Sequence, residues 1–220
     1  MNKNTLVVNL IGGSGIGKSS NAALLFGNLK KLGIDAELVQ EFAKQLVWEE
    51  REKTFSDQLY IFSKQNHKIN MINDNVEVIV TDCPLIISTI FLKDNCLKNT
   101  IINEFNKYNN LNIVLERIHE FQQNGRREDE NGAIENDQKL INCLNKYNIP
   151  YHTIKPNDEG MEELIKIVME KLDKPYEKNV NIKLKESQKN KISQELKLVN
   201  SRYYNIIEEV FGKEFLENFR

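Results

Sequence analysis

Short apolar runs alternate with helical patterns over the first 172 residues of the chain. Leu6–Ile11, Ala36–Gln40, Val76–Thr81, Leu111–Glu116 and Tyr151–Ile154 read as strands. Several of them are nearly continuous in apolar or β-branched residues, as strands covered on both faces are. Between them, Lys18–Leu32 carries Ala22, Leu25, Leu29 and Leu32 at helical spacing, which makes one stripe of a helix apolar. Ser56–Asn73 places Leu59, Phe62, Ile69 and Ile72 on one face, and Ile134–Tyr147 and Met161–Leu172 show the same periodicity. Strand–helix–strand alternation needs right-handed crossovers, so the pattern predicts an α/β fold with a mainly parallel sheet.

The pattern changes near Asp173. Lys174-Pro175 breaks the last helix, 177–190 is polar and lysine-rich, and Leu196, Val199, Tyr203, Ile206 and Val210 then recur at amphipathic spacing. The expected organisation is a domain over 1–172 and, over 173–220, a linker and a C-terminal helix. That helix would pack on the domain or form a homodimer. Composition narrows the class. Of 220 residues, 40% are hydrophobic and 28% charged, the balance of a globular chain, and no apolar run approaches the roughly 18 residues of a membrane span. No signal peptide is visible, and the three cysteines lack disulfide or zinc spacing, so a cytoplasmic protein without a membrane partner is expected. A net charge of −2 disfavours nucleic acid as the main partner. The tail alone is slightly basic and keeps that alternative open.

The strongest chemistry lies at Gly12-Gly13-Ser14-Gly15-Ile16-Gly17-Lys18-Ser19, which matches G-x-x-x-x-G-K-[ST] at every fixed position between a strand and a helix. Backbone N–H groups of Gly13 through Ser20, together with a helix N-terminus, would surround the phosphates of a nucleoside triphosphate. Lys18 would reach the β- and γ-phosphates, and the Ser19 hydroxyl would bind Mg²⁺.

Glu41 and Asp82 each fall just past a strand, where an open parallel sheet lines its ligand crevice. One carboxylate could take the proton of an attacking hydroxyl and the other could hold the metal; the residues alone do not say which does which. Either could instead cap a helix. Arg117, Arg126 and Arg127, three of the four arginines before residue 173, sit on a glycine-containing loop suited to a lid over transferring phosphate, or, with Glu128, Asp129 and Glu130 beside it, to a solvated charged turn. His119 reads as a helix-surface histidine, and Trp48 as a core residue or, alternatively, one that stacks on a ring. Asp57, Gln58, Gln65, Asn66 and His67 form a polar helix face that would read a base only if it lined the crevice.

Phosphate loop, Glu-Phe-Ala-Lys after the second strand, a Phe-x-Asp-Gln helix, Thr-Asp-Cys-Pro after the third strand and an arginine loop appear here in that order. So ordered, residues 5–172 resemble the NadR-type nicotinamide riboside kinase domain and related small P-loop kinases of bacteriophages. The resemblance implies a three-layer α/β/α fold around a five-stranded parallel sheet. It also implies γ-phosphoryl transfer from ATP to nicotinamide riboside, a nucleoside or its monophosphate. Carried over by position, Lys18 and Ser19 act on ATP and Mg²⁺, Asp82 lies near the metal, Glu41 stands where similar kinases keep a base, and Arg117, Arg126 and Arg127 belong to the lid. NadR-type proteins often carry an adenylyltransferase domain ahead of the kinase; this chain begins at the kinase strand, so adenylyl transfer is not expected. Two other classes remain: a kinase for a hydroxyl of a nucleic acid or modified base, and an ATP-binding switch without an acceptor. A GTPase is unlike this chain, because Asn106-Lys107-Tyr108-Asn109 and Asn145-Lys146-Tyr147-Asn148 end in Asn and each precedes a strand.

Overall fold

A computed structural model describes residues 4–122 and 128–176. The strands are β1 (Leu6–Ile11), β2 (Ala36–Val39), β3 (Val78–Thr81), β4 (Asn109–Leu115) and β5 (His152–Ile154). They form one parallel sheet in the order β2-β3-β1-β4-β5. In β1 all six residues are buried, as a central strand covered on both faces requires. The edge strands β2 and β5 alternate or expose their residues.

The helices are α1 (Lys18–Lys31), α2 (Phe42–Trp48), α3 (Glu52–Ser56), α4 (Gln58–Ile72), α5 (Asn95–Phe105), α6 (Glu130–Lys146) and α7 (Asp158–Lys171), with a 3-10 helix at Leu85–Ile90. One face of the sheet packs Leu6, Val8 and Leu10 against Leu25 and Leu29 of α1 and Leu164 and Val168 of α7. The other packs Val7, Ile11 and Ile79 against α4, α5 and α6 through Ile69, Ile101, Leu140 and Leu144. This is the expected three-layer α/β/α arrangement.

Two expectations of packing need correction, and one stretch carries no expectation. Leu59 is 49% exposed, because the buried stripe of α4 runs through Ile61, Phe62, Gln65 and Ile69, away from residue 59. Trp48 is 70% exposed at the end of the short helix α2 and is no core residue. The stretch from Asp82 to Tyr108 holds a 3-10 helix and α5, which periodicity alone leaves without an element. The start signal of α5 is present in the sequence: the Asp94 carboxylate accepts the N–H groups of Cys96 and Leu97 at 2.6 and 3.2 Å.

After α7 the chain stays on the domain, with Lys174 Nζ 2.5 Å from Glu77 Oε1 and Tyr176 packed against the core. The expected C-terminal helix and its dimer lie outside the described residues.

One buried polar cluster sits within the sheet. Asn9 Nδ2 donates to Asn110 Oδ1 at 2.9 Å and Asn112 Oδ1 at 3.0 Å, and Asn112 donates onward to the Pro150 carbonyl at 3.0 Å. Removing the shared donor strands both acceptors. Asn9→Ala is therefore expected to cost about 1–3 kcal/mol in denaturant unfolding; an unchanged midpoint would show that these amides carry no net stability.

Candidate active site

Between β1 and α1 the chain must reverse into a helix within six residues, and Gly17 does so in the left-handed region at φ 99°. No side chain caps α1, whereas Asp57, Asp94, Asp129 and Asn157 cap α4, α5, α6 and α7. The first-turn N–H groups of α1 thus face the crevice without a side-chain acceptor, at the positive end of the helix dipole, which is an anion-binding arrangement. Ile16 is buried in the core, so only its main chain can serve this loop. Lys18 folds back over the loop and donates from Nζ to the Gly12 and Gly13 carbonyls, both at 2.7 Å.

The neighbours of β1 supply the rest. β3 delivers Asp82, 4% exposed, and β2 beside it delivers Glu41. The two meet directly: the Glu41 N–H donates to Asp82 Oδ1 at 2.9 Å. Glu41 occupies the N-cap position of α2, yet its side chain makes no capping bond, so the carboxylate is left to the crevice. The turn carrying it is held from α4, where Gln65 Oε1 accepts the Phe42 N–H at 3.1 Å.

Electrostatically, the crevice crowds acids around one ammonium. Burial lowers the pKa of Lys18, opposed by Glu41, Cys83, Asp82 and Asp137. Burial raises the pKa of Glu41 above the usual carboxylate value; Lys18 pulls it back down and Asp82 pushes it further up. Burial, with Glu41 and Asp82, drives the Cys83 thiol well above its ordinary value. Cys83 is therefore a protonated wall of the site and not a nucleophile.

Across β1, β4 delivers Arg117. Its Nε donates to Asp137 Oδ2 of α6 at 2.9 Å, and Nη2 approaches the same oxygen at 2.8 Å. Both terminal nitrogens are buried; Nη2 meets Asp137 only as an ion pair, and Nη1 has no polar partner among the described residues. Buried, unspent guanidinium N–H groups beside a phosphate loop fit an anionic ligand such as the phosphates of ATP. Mg²⁺ also fits the donors present. No cluster of three or more His, Cys, Asp or Glu is arranged for a metal among the described residues. A phosphate-borne Mg²⁺ needs only one or two protein oxygens, which the exposed Ser19 hydroxyl and Asp82 can provide.

The structure thus gathers the loop with Lys18 and Ser19, Glu41, Asp82 and Arg117 at one edge of the sheet. Arg126 and Arg127 lie outside the described residues. His119 is on a loop, with Nε2 3.1 Å from the Pro156 carbonyl oxygen, and not on a helix. The amide face of α4 is largely spent on structure: Asp57 caps α4, Gln58 bonds the Phe55 carbonyl, Gln65 holds the α2 turn, and Asn66 accepts from Tyr108 Oη. Asp137 is the site residue that sequence reasoning passes over. Its signal is an acid placed within the apolar stripe of α6, between Ala133 and Leu140, where a helix face otherwise packs on the core.

Comparison with known proteins places this geometry. The profile of a family described as an AAA domain matches residues 7–162. No curated protein matches the chain. Among solved structures, NadR in complex with NR shares the fold at a TM-score of 0.58 and 18% identity, over 80% of this chain and 54% of that one. The chain therefore spans about half the length of NadR. Deoxyadenosine kinase from M. mycoides, with dCMP and a flexible dCDP bound, aligns at a TM-score of 0.48 and 20% identity, over 76% of this chain and 98% of that one.

The raised pKa of Glu41 has a consequence for stability. Its folded pKa lies above the unfolded value near 4.5, so its contribution is fully present below that pH and is lost as pH rises through the folded value. Glu41→Gln removes the buried charge. The variant is expected to melt above the wild type at pH 8, with the difference closing by pH 4; a lower melting temperature at pH 8 would contradict the direction of the shift.

Proposed function

Because the chain belongs to the AAA-domain family, whose profile spans its sheet and phosphate loop, we propose that it is an ATP–Mg²⁺-dependent phosphotransferase. Its acceptor would be a hydroxyl or phosphate of a small nucleoside-type molecule. The observation that carries this reading is the cluster of Lys18, Glu41 and Asp82 at the ends of three adjacent strands. A nucleotide-binding module needs the loop and its lysine. A buried carboxylate with a raised pKa, a charge away from the phosphates' lysine, is what a transfer reaction adds.

In this reading Lys18 and the loop N–H groups bind the β- and γ-phosphates, and Ser19 and Asp82 hold the metal. Bound Mg²⁺ would screen the phosphate charge and orient the γ-phosphoryl group for in-line attack. Asp82 already spends one oxygen on the Glu41 N–H, which favours Glu41 as the base. The acceptor oxygen bonds to the γ-phosphorus as the bond to the β–γ bridging oxygen breaks; the hydroxyl proton passes to Glu41, and ADP leaves. Arg117 stabilises charge on the phosphates, and Arg126 and Arg127 join it by their place in the sequence. The chain would act as a water-dissolved enzyme of the cytoplasm, and no helix among the described residues is long and apolar enough to cross a membrane.

The test is ADP release from ATP–Mg²⁺ against nicotinamide riboside, the common nucleosides, their monophosphates and single-stranded DNA. Nicotinamide riboside heads the panel because NadR with NR shares this fold. Stimulation by one small acceptor is expected, abolished in Lys18→Ala and reduced about 10²- to 10⁴-fold in kcat by Glu41→Gln. The acid limb of the rate profile should lie above the ordinary carboxylate range, since Glu41 must be ionised to accept the proton. Stimulation by DNA alone would reassign the acceptor to nucleic acid. ATP binding without stimulation by any of them would leave a nucleotide-binding module.

A further inference from the structure

Helix α6 touches the phosphate loop with its backbone. A Cβ on Gly13 would lie 2.3 Å from the Ala133 carbonyl oxygen, so α6 and the loop are in contact with no room for a side chain between them. One turn on from Ala133, the Asp137 carboxylate reaches both partners at this junction. Its Oδ1 accepts the Gly13 N–H, and its Oδ2 accepts Arg117 Nε at 2.9 Å. The Arg117 and Asp137 side chains are only 15% and 19% exposed. Both side chains also line a cavity of about 250 Å³, shared with Val114, Leu140, Ile141 and Tyr151.

The contact uses the Nε and Nη2 side of the guanidinium and leaves Nη1 on the outer edge. Nη1 lies 3.6 Å from the place a Gly15 Cβ would take, over the phosphate loop. Nη1 is buried and makes no hydrogen bond or ion pair among the described residues. An arginine whose inner edge is fixed keeps its outer N–H groups aimed without losing side-chain entropy when an anion arrives.

We propose that Asp137 is a positioning residue of the nucleotide site, tying Arg117 to Gly13 so that the free guanidinium edge is presented to the phosphate chain of a nucleoside triphosphate. The proposal rests on the phosphotransferase reading for its role in turnover, but its primary readout is nucleotide binding, which needs no acceptor. A competing arrangement, in which Asp137 sequesters Arg117 from the nucleotide, predicts the opposite sign.

Affinity for ATP–Mg²⁺ distinguishes the two, measured by calorimetry on the full chain with thermal unfolding alongside. Arg117→Ala is expected to weaken binding roughly 10- to 100-fold, the range of a charge-assisted hydrogen bond. Asp137→Asn keeps an oxygen for the Gly13 N–H but turns an amide toward Arg117, and is expected to lose nearly as much. The double variant should bind no worse than Arg117→Ala, because the aspartate acts through the arginine. A purely structural role would instead make the two losses multiply. Multiplying losses, or wild-type or tighter binding by Asp137→Asn, overturns the proposal.

Arg117→Lys takes over as the test should Asp137→Asn fail to fold. A lysine cannot hold Asp137 and the phosphates at once, so a large loss is expected, and wild-type affinity overturns the anchor. If the binding coupling holds while no acceptor stimulates ADP release, the phosphotransferase reading falls and the anchor stands. If stimulation is found without coupling, the reverse is true.

Discussion

Every strand of this sheet runs the same way, and that one constraint places the site. A parallel sheet releases all its chains at a single edge, so the loops after β1, β2, β3 and β4 must share one crevice. With β1 in the middle, its phosphate loop is flanked by the acids of β3 and β2 on one side and by the arginine of β4 on the other. The division follows from strand order: the two acids lie on one side of the phosphate loop, and the Arg117–Asp137 pair on the side of α6. An antiparallel strand at any of these places would send its residue to the opposite edge.

The acids carry an electrostatic cost that the fold leaves in place. Glu41 and Asp82 meet at a hydrogen bond, and burial raises the Glu41 pKa instead of neutralising the pair by a close ion pair with Lys18. The Lys18 ammonium bonds to two carbonyls of its own loop. Both partners are thus held in environments that disfavour their charged forms, which is a common mark of a site arranged for a ligand and its chemistry. A phosphate chain with its metal would supply anionic oxygens to Lys18 and to the outer edge of Arg117, whose inner edge already meets Asp137, and a cation to Asp82. Within this scheme the contacts of Asp137 with Gly13 and Arg117 join the α6 layer to the crevice, so the packing of Leu140 of α6 with Val114 of β4 would bear on phosphate recognition.

Much of this is legible in the residues. The phosphate loop is plain because a motif of fixed glycines leaves no freedom in the main chain. β1 is located to the residue because its mostly apolar run ends directly at the first glycine of the motif, which bounds it as a strand. Glu41 and Asp82 are found by position, since a carboxylate just past a parallel strand faces the crevice whatever its neighbours are. The short helices are not legible. α2 has seven residues and α3 five, less than two turns each, so neither completes an apolar period. Trp48 misleads for the same reason: at the end of such a helix nothing in its spacing says whether it points inward.

Asp137 shows where a one-dimensional reading stops. Its carboxylate has partners 124 and 20 residues away, and neither is implied by its own helix. Periodicity can only report that an acid interrupts an apolar stripe, a fault from the standpoint of packing. What turns the fault into a site is the close approach of α6 to Gly13, and that depends on the absence of a side chain at a position the motif leaves variable. The two irregularities, an acid where a hydrophobe is expected and a glycine where any residue is allowed, explain each other once they are in contact. Irregularities that pair in this way are stronger pointers to function than either deviation alone, because a defect of packing has no reason to find a complement across the sheet.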